Sequence, residues 1–129
     1  MRLLLDTHAL LWHYSDSARL GREAAVVLSD ARNDLFVSMA SLWEMAIKSN
    51  IGKLRIPIPG SLNGLIDYLV GDGVSILPVG TGHVLRVESM ALHHRDPFDR
   101  MLVAQALVDG LDLVSNEEVF DQYGVKRVW

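Results

Sequence analysis

Two hydrophobic rhythms alternate along the chain. Short apolar runs at LLL (3–5), Leu35 to Val37, VSILPV, LDLVS and VKRVW are too brief for helices and read as five strands. Between them, apolar residues recur three and four apart. Thr7 can cap a short helix through HALLWHY; Ser17 or its neighbours precede a second helical pattern in which Leu20, Ala24, Val27, Leu28 and Ala31 share a face, ended by Asn33 and Asp34. SMASLWEMAIKSNIG sets Met39, Leu42, Trp43, Ala46 and Ile47 at helical spacing, with Gly52 just beyond. RIPIPG carries two prolines and reads as a connector. Ser61 caps LNGLIDYLV, GDG turns the chain, and TGHVLRVESMAL is again helical. GTGH lacks the third glycine and the lysine of a phosphate-binding loop, so it is read as a helix start. The clearest start is in HHRDPFDRMLVAQALVDG, where Asp96 is the N-cap, Pro97 the first helical residue and Gly110 follows the end. EEVFDQYG reads as a short helix before the last strand.

Strands alternating with helices over the whole length require crossover connections, which makes a mostly parallel sheet with helices on both faces: a three-layer α/β/α architecture. The 129 residues fit one domain, 1–129, and half of them are hydrophobic, enough for a core without staples. No repeat or low-complexity segment interrupts it.

There are no cysteines, which removes disulfides, thiolate zinc sites and a cysteine nucleophile and fits a reducing compartment; the cytoplasm is the expectation. No apolar stretch approaches the roughly 20 residues of a membrane span, so no membrane association is expected. The formal net charge is −4. A nucleic-acid partner would therefore have to be drawn by something other than bulk positive charge.

LLLDTH raises the chemical question. An apolar strand running straight into Asp6 places that carboxylate where the strand leaves the core, and ligands bind at the carboxyl ends of strands in open parallel sheets. Other acids share the address. Glu44 lies in the first turns of the helix after the second strand, Asp96 and Asp99 open a later helix, and Glu117 follows the fourth strand by way of Ser115 and Asn116. Each has an ordinary explanation: Ser41 to Glu44 and Ser115 to Glu118 fit capping boxes, and Asp96 with Asp99 complements a helix dipole. Only Asp6, which breaks an apolar run, resists one.

Convergence would have a consequence. Two carboxylates about 4 Å apart repel by roughly 4 kcal/mol at an effective dielectric near 20, so several together call for a cation. Lysine or arginine can supply it, and so can a hard divalent ion, which takes oxygen ligands. Carboxylates without cysteines favour magnesium or manganese over zinc. Such a cluster is a candidate metal-dependent hydrolytic site.

These residues resemble the PIN domain, and within it the VapC-type toxin nucleases of type II toxin-antitoxin modules. The resemblance covers essentially the whole chain and rests on LLLDTHALLW, SMASLWEMAIKSNIGKL, HHRDPFDRMLVAQAL and LVSNEEVFDQYGV in that order and spacing. It implies a Rossmann-like α/β/α fold and magnesium-dependent endoribonuclease activity, with manganese as the alternative ion. Carried over by position, the family acids fall on Asp6, Glu44 and Asp99, with Asp96 an additional acid of the DPFDR subgroup. The fourth falls on Glu117, where the family more often has Asp; the extra methylene makes it a ligand reached through water. Asp6 and Asp99 are then the principal metal ligands and Glu44 positions the ion or its water. Thr7 and Ser115 support the site. The resemblance further implies in-line attack of water on an RNA phosphodiester, leaving a 5′ phosphate and a 3′ hydroxyl, a homodimer, and silencing by a small antitoxin.

Several residues have competing readings. Lys48, Arg95 and Arg100, with Lys53 and Arg55, can form a basic rim for RNA, or can be ordinary solvated charges. His93 and His94 are tempting as catalytic groups, but beside Arg95 in a loop they read as a solvated surface pair. His8 and His13 read as structural or groove-lining. Trp12, Trp43 and Tyr14 can stack bases, though at helical spacing with leucines the two tryptophans read as core or antitoxin-groove residues. A haloacid-dehalogenase-type site would need an Asp at position 8, which is His. A receiver domain would need an Asp in the third strand, and VSILPV has none. A catalytically silent PIN-like module that binds RNA or protein is the alternative function.

Overall fold

The computed structural model describes residues 1–57 and 60–129. Strand β1 (Arg2–Leu5) buries Leu3, Leu4 and Leu5 completely, as an unbroken apolar run predicts for a strand covered on both faces. It is the central strand of a five-stranded sheet ordered β3-β2-β1-β4-β5. The others are β2 (Asp34–Ser38), β3 (Ser75–Leu77), β4 (Asp112–Val114) and β5 (Arg127–Val128), and every neighbouring pair is parallel. Leu5 pairs with Val37 on one side and Val114 on the other, so the three central strands end level with one another.

Side chains alternate across the sheet. Leu3 and Leu5 face one core, packed with Val37, Leu42, Met45, Leu65 and Leu69, whereas Leu4 faces a second, with Leu102, Val103, Leu113 and Phe120. Helices α1 (Thr7–Ser15), α2 (Arg22–Ser29), α3 (Met39–Asn50) and α4 (Leu62–Gly71) supply the first core; α6 (Pro97–Asp109) and the 3-10 turn Glu118–Tyr123 supply the second. Helix α5 (Thr81–Ser89) packs on α6. The three layers predicted from the alternation of elements are present. No helix among the described residues is long and apolar enough to cross a membrane.

The element ends carry the corrections. Asp6, not Thr7, caps α1: its Oδ1 accepts from the Ala9 N–H at 2.7 Å. Ser38 rather than Ser41 caps α3, because the helix begins directly where β2 stops pairing, which leaves Ser41 inside the helix with a buried hydroxyl lacking a partner. Likewise Ser115 forms no box with Glu118; its Oγ accepts from the Glu117 N–H at 3.0 Å, folding the chain out of β4. The second helical pattern is shorter than predicted, with a 3-10 turn at Ser17–Arg19 and α2 capped by Gly21. Helix α5 stops at Ser89. Asp96, Pro97 and Gly110 sit as predicted, Gly110 in the left-handed conformation that favours glycine. Ser61 caps α4. Of the RIPIPG connector, Ile58 and Pro59 lie outside the described residues.

Candidate active site

From β1 the chain passes to β2 on one side, while β4 lies on the other, so the order of the sheet reverses between β1 and β4. In open α/β sheets this switch point leaves a crevice beyond the strand ends. Asp6 and Ser115 flank it: the Asp6 N–H donates to the Val114 carbonyl at 3.1 Å. A cavity of about 120 Å³ opens there, lined by Asp6, Glu44, Asp96, Asp99 and Glu117 together with Thr7, His8 and Lys48. All five acids proposed from the sequence therefore meet at one edge of the sheet.

Asp6, Glu44, Asp96 and Asp99 are each held by a local contact. Asp6 is 4% exposed and fixed by its capping bond to Ala9. Glu44 is 6% exposed; its Oε1 accepts from the Thr7 hydroxyl at 2.7 Å, and its Oε2 pairs with Lys48, one helical turn on, at 3.2 Å. Asp96 uses Oδ1 to accept from the Asp99 N–H at 2.9 Å, and the Oδ2 of Asp99 meets the Nε2 of His94 at 2.8 Å.

The electrostatic result is a site with excess negative charge. Burial pushes the Asp6 carboxyl up to about 6, against the pull of the Ser115 hydroxyl and the Ala9 N–H, and with a further push from Asp99. Burial also raises Asp99, opposed by the hydrogen bond from His94 and reinforced by the charges of Asp96 and Glu44. A cation among these oxygens would relieve both.

Oxygen donors without thiolates fit a hard divalent ion, and such an ion keeps several waters, for which the cavity has room. Among the described residues, however, no three His, Asp or Glu side chains are already arranged to hold an ion. One oxygen of Asp6, one of Asp99 and both of Glu44 are already engaged, by the Ala9 N–H, by His94, and by Thr7 with Lys48 respectively.

The basic residues separate. Lys48 lines the cavity and Arg95 is exposed at the wall of a neighbouring apolar groove, with Lys53 and Arg55 exposed further along the chain. The Arg100 guanidinium turns inward, with Nη1 donating to the carbonyls of Ala91 and His94 and Nη2 to those of Val87 and Met90. It closes the carbonyl end of α5, whose last acceptors have no partner within the helix.

His94, like Arg100, lies elsewhere than its sequence context predicts. It is not a solvated surface group: its ring reaches Asp99 and packs edge-on against the buried Phe120. Its place in the irregular loop before the Asp96-Pro97 cap left no local signal for this contact. Trp43 is 63% exposed on the groove and edge-on to Phe98, whereas Trp12 is half-buried between His8 and Trp129; neither belongs to the core. The Tyr14 hydroxyl donates to Asp72, and His13 lies beside Asp72 and Asp34 at the opposite end of the sheet from the cavity.

The family follows from fold and site together. The PIN domain model matches residues 3–126, and this chain belongs to that family. No curated relative matches it by sequence. Its fold is similar to those of solved toxin-antitoxin structures. VapBC2 from Rickettsia felis bound to a promoter DNA fragment aligns with a TM-score of 0.71 and 13% identity over 100% of both chains. VapBC-1 from nontypeable Haemophilus influenzae aligns at 0.69 and 16% over 98% of this chain and 96% of that one. DNA-bound VapBC from Salmonella typhimurium gives 0.69 and 18% over the same shares, 98% and 96%.

Proposed function

We propose that this chain is a magnesium-dependent endoribonuclease and the toxin of a type II toxin-antitoxin pair, acting in the cytoplasm as a homodimer. The observation that carries the reading is that five carboxylates from four separated segments line one cavity at the switch point of a PIN-domain sheet. Helix capping accounts for Asp6 and Asp96 singly, but the mutual repulsion of five acids opposes their gathering in one cavity.

In this reading Asp6 and Asp99 would hold the ion, Glu44 would position it, Asp96 would add a further acid to the ligand set and Glu117 would act through water. A bound magnesium or manganese ion supplies charge neutralisation and polarisation of the phosphodiester. The protein's own contribution is orientation. Thr7 holds Glu44 against α1, the capping bond fixes Asp6, and Ser115 shapes the turn that carries Glu117. Lys48, which lines the cavity, and Arg95, exposed on the neighbouring groove, would be the cations that meet RNA phosphates. The antitoxin partner is supported by the VapBC complexes whose fold this chain shares. The apolar groove of about 600 Å³ beside the site, with Met39, Trp43, Leu92 and Phe98 in its walls, is a surface that such a partner would cover.

The second reading, a PIN-like module that binds without cutting, is favoured by one observation: among the described residues no three ligands already surround an ion position. One experiment separates the two. Purified protein is incubated with single-stranded RNA in magnesium, in EDTA, and as Asp6→Asn. Cleavage in magnesium that disappears in both other arms supports the nuclease. Intact RNA in every arm, with RNA retained by the protein, supports the silent module.

A further inference from the structure

We infer that His94 is a positioning residue that determines which oxygen of Asp99 is presented to the cavity. The inference rests on the reading of Asp99 as a metal ligand. The Nε2 of His94 meets Asp99 Oδ2 at 2.8 Å. A carboxylate accepts, so Nε2 carries the proton and the contact commits Oδ2, which leaves Oδ1 as the oxygen for an ion. Without that partner the Asp99 carboxyl group is free to rotate, and a ligand that rotates binds less tightly because its order must be established on binding.

The loop that carries His94 is built to hold the ring still. The backbone N–H groups of His93 and His94 both donate to the Tyr123 hydroxyl oxygen, at 3.1 and 2.9 Å. Arg100 Nη1 reaches the His94 carbonyl at 3.3 Å and the same Tyr123 oxygen at 3.3 Å. Phe120, fully buried, stands edge-on to the imidazole with ring centroids 5.7 Å apart. Backbone, ring face and ring nitrogen are thus each constrained by a different residue. Three of these groups, His94, Asp99 and Arg100, fall within seven consecutive positions, and the 3-10 turn brings Phe120 and Tyr123 to them.

The test is Mn²⁺ affinity of the folded protein, followed by the loss of the free-ion EPR signal, with thermal unfolding in EDTA measured alongside. His94→Ala is expected to weaken Mn²⁺ binding about 10- to 100-fold, the usual effect of removing a hydrogen-bond partner of a metal ligand. His94→Gln, whose amide N–H can reach the position of Nε2, is expected to restore most of the affinity, and His94→Asn, one methylene shorter, is not. This Gln/Asn pair decides the matter if the alanine variant does not fold. A purely structural role would lower the melting temperature of all three variants and leave the affinity of the folded fraction unchanged; that result overturns the inference. Wild-type protein that binds no Mn²⁺ overturns the metal-site reading beneath it, and the inference with it. Asp6→Asn, which removes a ligand without touching His94, is the reference for complete loss.

Discussion

Thr7 and Glu44, 37 residues apart in sequence, are joined by a 2.7 Å hydrogen bond from the threonine hydroxyl to Oε1. The bond ties the first turn of α1 to the second turn of α3 across the carboxyl edge of the sheet. It also explains why Thr7 does not cap α1, since its hydroxyl is directed away from the helix and the preceding carboxylate takes that role.

Thr7→Val removes the donor while keeping the shape. The freed Glu44 carboxylate then has Lys48 alone as its partner, and RNA cleavage at limiting magnesium is expected to fall by about tenfold. Thr7→Ser, which keeps the hydroxyl, is expected to retain most activity. Equal rates for the valine and serine variants would show that the bond does not matter for the site.

Asp6 performs two tasks that substitution can separate. Asn is as good an N-cap as Asp, so Asp6→Asn keeps α1 and removes the buried charge, whereas Asp6→Ala also loses the cap, at a cost of about 1 kcal/mol. The charge itself has a predictable pH signature. Because burial raises the carboxyl to about 6, the folded state binds this proton more tightly than the unfolded chain does. Its contribution to stability is therefore complete below the unfolded value of 3.8 and is lost as pH rises through about 6. In EDTA, the stability of wild type minus that of Asp6→Asn should fall by up to about 3 kcal/mol between pH values of about 4 and about 7. Urea unfolding at a series of pH values reads this directly. A difference that stays flat contradicts the burial of an unpaired charge at this position.

Arg100 illustrates what charge patterning in a sequence does and does not reveal. As a cation directly after the acid-rich DPFD it reads as part of an RNA-facing rim, yet its guanidinium closes the carbonyl end of α5 and supports the Tyr123 hydroxyl. Arg100→Ala should lower stability by about 1–3 kcal/mol, visible in thermal unfolding without metal or RNA. Unchanged stability combined with weaker RNA binding would return Arg100 to the rim.

The same contrast marks the limit of the sequence throughout. Leu3 to Leu5, Asp96-Pro97 and Gly110 were legible because burial on two faces, a cap and a positive φ each leave a local signature. The shared location of the acids was legible because strand ends and helix starts fall on one edge of any parallel sheet. What was not legible depended on geometry between segments. Asp6 and Thr7 are both good caps one position apart, and only the contact with Glu44 distinguishes them. The S-x-x-E spacing favours Ser41, but the end of β2 pairing determines that Ser38 is the cap. His94 lies in an irregular loop, where neither period 3.6 nor period 2 applies, so nothing local directs its ring to Asp99.

The most direct measurement is the anomalous scattering of manganese in crystals of the wild-type protein grown with Mn²⁺. A peak inside the cavity between Asp6 and Asp99, with carboxylate oxygens from both at roughly the 2.1 Å typical of small hard divalent ions, is the predicted result. A cavity without a peak at saturating Mn²⁺, its acids still engaged by protein donors alone, would contradict the account.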